Sequence, residues 1–306
     1  MKRKVITQAG GQAYTITLPI DWIRKNGISE KSELDLTDEG KSIIIRSQNN
    51  PIEAKALLNV EDWTERTLYV HLSALYARGI DEIIITSKKD ISKGITKSIA
   101  HLIGFALVSQ QGSTYVIKDI SGVNYPHLDE IFKRIFQMIL LFYDAAAQDI
   151  FGKQQGTLED LKARDIEVNK FCLYLERAIN RMAYAETING RIIFTYSFML
   201  EKISDEIERL WRANIKYKVK KTKLLKEMIE LSKEGLSKAF DLYYQFNSKD
   251  INEIYALRDK VREMSFSLSK IDGVTTRFAH HIVKIIEDAA DLNHLTSMRA
   301  LEKTTK

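Results

Sequence analysis

Residues 10–28 read GGQAYTITLPIDWIRKNGI, and residues 32–47, close behind, read SELDLTDEGKSIIIRS. Tyr14, Ile16 and Leu18 alternate with Thr15 and Thr17, which is the period of a half-buried strand. Pro19 can open a short helix, because its missing N–H would be unpaired in the first turn, and Gly27 stands where a left-handed stop is expected. Leu34 and Leu36 alternate again, Asp38–Lys41 places Gly40 in a turn, and Ile43–Ile45 closes a hairpin. The pattern is strand, helix, strand, hairpin, strand, in a segment too short to bury a core alone. It therefore needs a second copy of itself, and a swapped-hairpin dimer accounts for every element.

The Leu18–Pro19 step, the helix ending at Gly27–Ile28 and the Asp38–Gly40 turn resemble the AbrB/MazE-like swapped-hairpin DNA-binding domain. The resemblance implies a homodimer whose basic N-terminal face lies on DNA. Lys2, Arg3, Lys4, Arg24 and Lys25 are the cations available for it. Each can neutralise a phosphate and release counterions, which makes binding salt-dependent. Better known DNA-binding members carry arginines on the first two strands, where this chain has Gln8 and Thr15. The contact implied is thus to phosphates. Lys2–Lys4 would equally suit a charged terminus, and Arg24 and Lys25 a helix C-terminal dipole. Recurrence of one sign at both ends of a small unit favours DNA.

The chain has 306 residues and a formal charge of +5, with 44% hydrophobic and 28% charged residues, which allows two or three folded domains. Cys172 is the only cysteine, so neither a disulfide framework nor a thiolate metal cage can form. The apolar stretch Ile139–Ala147 is interrupted by Asp144 and too short to span a bilayer. No signal peptide precedes the first strand. A cytoplasmic protein without membrane insertion is expected.

Asn49–Asn50–Pro51 marks a break. Beyond it the spacing predicts a helix over Glu61–Ala77 stopped by Gly79, a strand over Glu82–Thr86, a helix over Ile95–Ser109 and a strand over Ser113–Ile120. This is a small α/β module without a phosphate-binding glycine cluster, since Gly94 and Gly104 stand alone. From about His127 the apolar residues recur three and four apart. Helices are predicted over Leu128–Gly152, Thr157–Arg181, Arg191–Ile215, Lys221–Phe246, Asp250–Lys270 and Thr275–Ala300, which suggests a duplicated three-helix unit. The fold class is α+β, with domains over 1–48, 51–122 and 125–306 and helical repeats over about 125–215 and 221–302.

Polar pairs four apart recur on the second and third helices of each unit: Asp165 and Asn169, Glu201 and Asp205, Asp259 and Glu263, Glu287 and Asp291. Like charges at that spacing repel, so a cation or a set of salt bridges must answer them. An all-oxygen set on facing helices suits a hard metal ion. Lys202, Arg258, Lys260 and Arg262 lie beside the acids and would suit the salt-bridged alternative.

LEKISDEIERLW and KIIEDAADLNHL resemble the Glu-x-x-x-Asp metal signature of the PhoU family, and DIEVNKFCLYLER resembles the helix preceding it. With the AbrB-like head and a middle containing TERTLYVHLSALYARGIDEIII and HLIGFALVSQQGSTYVIKDI, the whole chain is similar to archaeal phosphate-uptake regulators. The resemblance implies two similar three-helix bundles and a transcription-linked role in phosphate transport. It also implies metal ligands at Glu201, Asp205, Glu287 and Asp291, with Asp165, Asp259 and Glu263 secondary. Mg, Mn, Fe or Zn are the candidate ions. The glycine usual before the aspartate is Ser204 in one repeat and Ala290 in the other, and Asn169 replaces an acid.

Asp291 and His294 form half of a di-iron carboxylate motif, with no second half. His280 and His281 are adjacent and point to different sides of a helix. The run Lys216, Lys218, Lys220, Lys221, Lys223 and Lys226 joins the repeats, as a solvated face or a phosphate contact. Trp22, Trp63 and Trp211 suit packing. No nucleophile stands with a base, so no enzyme is expected. Two functions remain open: a dimeric DNA-binding regulator of phosphate uptake with a helical sensor, or an adaptor acting on a phosphate transporter's ATPase or a signalling protein, with the head serving only dimerisation.

Overall fold

The computed structural model describes every residue except 1, 8–12, 39–41, 48–53, 122–127, 153–155, 183–186, 218, 269–271 and 302–306. Gln8, the Gly40–Lys41 turn, the Asn49–Asn50–Pro51 break, His127, Lys218 and Lys270 thus lie outside the described residues. The expected domain boundary near residues 122–125 lies there too. The chain forms two compact units, Met1–Ala54 and Lys55–Lys306.

In the first unit, β1 (Ile6–Thr7) pairs antiparallel with β2 (Tyr14–Thr15). A short helix, α1 (Ile20–Lys25), follows, and then β3 (Leu34–Asp38) and β4 (Ile43–Ser47) pair antiparallel with Leu36 opposite Ile45. Pro19 sits one position before the helix, as its N-cap. The helix stops as expected. Gly27 adopts φ +60°, its N–H donates to Arg24 O at 3.2 Å, and the Ile28 N–H donates to Ile23 O at 3.0 Å. The alternation over Tyr14–Leu18 gives only a two-residue strand, and it is not half-buried in the single chain: Tyr14 and Ile16 are 74% and 49% exposed. Among the described residues of this unit none is buried. That is the signature of an element set whose apolar faces have no partner within one chain.

The second unit starts with β5 (Lys55–Val60), α2 (Glu65–Ala77), β6 (Glu82–Ser87), α3 (Ser92–Ile99), β7 (Phe105–Gln111) and β8 (Thr114–Asp119). The strands form one sheet in the order β5-β6-β8-β7, with β5 and β6 parallel and the other pairs antiparallel. Ile83, Ile85, Tyr115 and Ile117 bury one face beneath Leu68, Leu72 and Tyr76 of α2. Thr64 caps α2 by accepting from the Thr67 N–H, so the helix begins at Glu65 and not at Glu61. The predicted helix Ile95–Ser109 is corrected. It ends at Ile99, the chain turns through Gly104 at φ +87°, and Phe105–Gln111 becomes a strand. The apolar run over Leu102–Val108 fits either period, and pairing with β8 decides it. Strand β5, absent from the sequence-based expectation, is fixed by parallel pairing with β6, 27 residues away, Lys55 lying opposite Glu82.

The remaining elements are α4 (Leu128–Phe151), α5 (Leu158–Arg181), α6 (Ile188–Lys216), α7 (Lys223–Tyr244), α8 (Ser248–Leu268) and α9 (Gly273–Leu301). All six lie within a few residues of the predicted spans. Threonines begin three of them: Thr157, in a reciprocal capping box with Asp160, Thr187 and Thr222. The helices form two three-helix repeats, and α6 packs against α9 across the seam. One core serves both repeats. Phe132 and Phe136 of α4, Tyr196 of α6, and Phe240 and Tyr243 of α7 form a continuous aromatic cluster. Tyr196 donates its hydroxyl to Leu292 O of α9 at 3.0 Å. Gly235 lets α7 approach α9, since a Cβ there would collide with Ile286.

Arg177 on α5 fastens the α/β module to the helices. The side chain is fully buried. Its Nη1 donates to Tyr76 O at 3.1 Å and Ile80 O at 2.6 Å, and its Nη2 donates to Asp81 Oδ1 at 2.9 Å and Asp119 Oδ2 at 2.8 Å. Arg181 holds the other Asp81 oxygen at 2.7 Å, and Asn180 donates to Ala77 O at 2.7 Å. The Tyr76 and Phe105 rings lie 4.9 and 5.0 Å from the guanidinium. Gly79 at φ +93° turns the chain tightly here, where a Cβ would lie 3.1 Å from the Arg181 side chain.

Candidate functional site

Three groups of residues were expected to carry function: the N-terminal cations, the acid pairs of the first helical repeat and those of the second. Lys2, Arg3 and Lys4 precede β1, and Arg24 and Lys25 form the last turn of α1. All five are exposed. Trp22 is half-buried on the same helix.

In the first repeat, α5 and α6 bring three of the expected acids together. Asn169 Nδ2 donates to Asp165 Oδ2 at 3.2 Å. Burial, then the nearby Asp205 and Glu201 charges, push the Asp165 carboxyl up to about 6. Burial also raises Glu201, and Lys202 at 3.3 Å only partly offsets it. Asp205 is bound by Arg209 at 2.9 Å. The other oxygens of the first pair, Asp165 Oδ1 and Asn169 Oδ1, are buried without a hydrogen-bond partner. About two turns beyond Asn169 along α5, burial and the Glu201 charge push Glu176 up to about 7. Tyr69 of α2 lies close enough for the Asp165 and Glu201 charges, after burial, to raise its own phenol. The α/β module therefore borders this face.

The second repeat differs. Arg262 of α8 binds Glu287 of α9 at 2.6 Å and approaches Asp259 at 3.7 Å, while Arg258 holds Asp259 at 2.7 Å. Glu263 and Asp291 are exposed. A guanidinium thus answers the acids here, whereas the equivalent place on α5 is the buried Val168. His281 contacts Glu206 at 2.7 Å, and His280 points away and is exposed. Among the described residues no set of three or more His, Cys, Asp or Glu is arranged to hold a metal ion. The donor chemistry of the first repeat, two shielded oxygens lacking a donor beside Glu201, suits a cation. In the second repeat Glu287 is met by Arg262 and Asp259 by Arg258.

Sequence reasoning found the acids but missed Arg177 and Glu176. Arg177 was within reach of the sequence. Leu173, Arg177, Asn180 and Arg181 form a stripe four and seven residues apart, beside the apolar stripe Val168, Cys172, Leu175 and Ile179.

Residues 7–53 match the family of MazE, a bacterial antitoxin that is an antidote recognising its toxin. No curated protein sequence matches the chain. Among solved structures the phosphate transport system regulatory protein PhoU from Streptococcus pneumoniae superposes with a TM-score of 0.50 at 15% identity, over 59% of this chain and 95% of that one. No helix among the described residues is long and apolar enough to cross a membrane. The chain therefore joins a MazE/AbrB-like N-terminal segment to a helical region with the PhoU fold.

Proposed function

We propose that the protein is a cytoplasmic, dimeric, DNA-binding transcriptional regulator of phosphate uptake, in which the helical region senses the cell's state and alters how the N-terminal units are presented. The observation that carries this reading is the first unit itself. It exposes five cations, buries none of its apolar residues among those described in the single chain, and matches an antitoxin family over nearly its full length. A dimer would cover Tyr14, Ile16, Leu36 and Ile43 and set two basic faces side by side. Joined in one chain to the fold of a phosphate transport regulator, such a head supports control of transport genes. A sensor of this kind works only if its effector favours one arrangement of the heads over another.

The first repeat would hold one metal cation through Asp165, Glu201 and the Asn169 amide oxygen, with Mg, Mn, Fe or Zn as candidates. The chemistry such an ion supplies is charge neutralisation of that face, a task Arg262 performs in the second repeat.

The test is binding of the full-length protein to the promoter DNA of its neighbouring genes across a salt series, against a scrambled duplex. The expected result is a promoter preference that persists at physiological salt and is lost in an Arg24→Glu, Lys25→Glu variant of unchanged melting temperature. With about 0.9 counterion released per phosphate contact, the variant's log–log salt slope should fall by about 2 per protomer. Equal binding of both duplexes that collapses with salt, or an unchanged slope, would sink the regulator reading. The protein would then be an adaptor for a transporter ATPase, with the head serving dimerisation.

A further inference from the structure

The C-terminal end of α6 and the N-terminal end of α9 meet at the seam between the two repeats, and there the surface opens into a cavity of about 550 Å³. That volume lies within the range of about 300–1,000 Å³ for small-molecule sites. Arg209, Arg212 and Lys216 line it from α6 and Arg277 and His281 from α9, and none of its lining side chains is acidic. On each helix the lining residues fall three and four apart, so each presents a single face. The cations differ in how they are held. Arg209 is bound by Asp205 at 2.9 Å and by Glu206, and Arg212 by Glu208. These carboxylates occupy some of the five N–H donors of each guanidinium, fix its plane and leave the remaining donors for a ligand. Lys216 and Arg277 are exposed and form no ion pair among the described residues. Two oriented guanidiniums and two uncompensated charges match an anion of charge two with several acceptor oxygens. The backbone of α9 adds little. Its first-turn Thr275 N–H is taken by Asp272 at 2.7 Å, so recognition rests on side chains. Val274 and Phe278 supply an apolar wall beside the cations.

We propose that this seam cavity is a binding site for a phosphate dianion, either free or carried as a monoester on a small organic molecule. The site is separate from the N-terminal cations and does not depend on the DNA-binding reading. It gives the first residue of the basic run that joins the repeats, Lys216, a ligand to hold. A bound dianion would bridge α6 and α9 and so tie one repeat to the other.

Calorimetric titration of the full-length protein at fixed ionic strength with inorganic phosphate, AMP and adenosine tests the proposal. Saturable binding of one phosphate-bearing probe per chain is expected, with none for adenosine. Lys216→Glu and Arg277→Glu should each weaken it by about tenfold or more, and the pair together should abolish it. Both side chains are exposed, so melting temperatures of the unliganded variants should stay within a few degrees of the parent. Should the double variant fail to fold, either single variant serves. AMP binding tighter than phosphate identifies an ester as the ligand, and equal or weaker binding identifies the free anion. The proposal is overturned if neither phosphate probe saturates, if adenosine binds as well as AMP, or if the variants bind unchanged. It is likewise overturned if a DNA duplex alone binds in a manner sensitive to these variants.

Discussion

Replacing Arg177 by methionine should separate the α/β module from the helices energetically while leaving each folded. The substitution keeps the volume and the apolar stem but removes a fully buried guanidinium with four hydrogen bonds. Breaking a buried ion pair by removing one partner typically costs about 3–5 kcal/mol. The low end applies here, because Asp81 keeps Arg181 at 2.7 Å and Asp119 keeps the Ser121 N–H at 2.9 Å. The Tyr76 carbonyl still accepts from the Gly79 N–H, whereas Ile80 O loses its charged donor, adding about 1 kcal/mol. The expected loss at neutral pH is therefore about 4 kcal/mol, a large fraction of the usual 5–15 kcal/mol of a domain.

Urea unfolding followed by tryptophan fluorescence and by far-ultraviolet circular dichroism reads it. Trp63 reports on the module and Trp211 on the helices. The parent should lose both signals together and the variant should lose the Trp63 signal first. The difference also depends on pH. Burial raises the Asp119 carboxyl, but Ser121 and Arg177 outweigh it and leave the group below its ordinary value. A carboxylate with a depressed folded pKa stabilises above its unfolded pKa and stops doing so as pH falls through the folded one. The gap between parent and variant should thus narrow below about pH 4. A loss under about 1 kcal/mol, or coincident transitions in the variant, would refute the idea that this one side chain joins the two parts. In a double-mutant cycle, Arg177→Met with Asp119→Asn should cost less than the sum of the singles.

Two further outcomes follow from the acids. Millimolar Mn²⁺ should raise the melting temperature of the parent, and an Asp165→Asn, Glu201→Gln variant should lose that rise. Glu287→Gln should keep it, since Arg262 already occupies Glu287; equal loss in both would place the ion elsewhere. Glu176, pushed up to about 7 by burial and Glu201, holds its proton more tightly folded than unfolded. Its stabilising effect is complete below about pH 4 and is lost as pH rises through about 7. Glu176→Gln should flatten the fall in stability over that window by an amount of order 2 kcal/mol, and an unchanged urea-midpoint profile from pH 4 to 8 would show the group to be solvated.

The helical region was legible because its information is local. Threonine caps, three-and-four spacing and helix-length stretches place all six helices within a few residues of their spans. Half of the sheet was legible as well, since the strands expected over Glu82–Thr86 and Ser113–Ile120 are β6 and β8, but β5 and β7 were not, because Lys55–Val60 has a single β-branched residue and the run from Leu102 to Val108 suits two periods. Pairing settles such segments, with β6 across a helix for β5 and with β8 across a tight hairpin for β7. The candidate sites divide in the same way. Acids four apart on one helix can be seen in sequence, so Asp165, Glu201 and Glu287 were found. Their neighbours across helices cannot, so Arg262 against Glu287 and Arg277 facing Arg212 emerge only from packing. The exposed alternation of the first unit shows the limit from the other side, since its meaning depends on a second chain.

The aromatic cluster shared by α4, α6 and α7 has a consequence for how the protein could be divided. Phe132, Phe136 and Tyr196 would be left as a bare wall if the second repeat were deleted, and Phe240 and Tyr243 likewise if the first were. Either half expressed alone would be a sticky fragment. A protease cut in the connection between Lys216 and Lys223 is another matter, for the two pieces would stay clasped by the rings they share. Two three-helix groups here share one indivisible body, and what displaces a helix in one group is felt at once by the other.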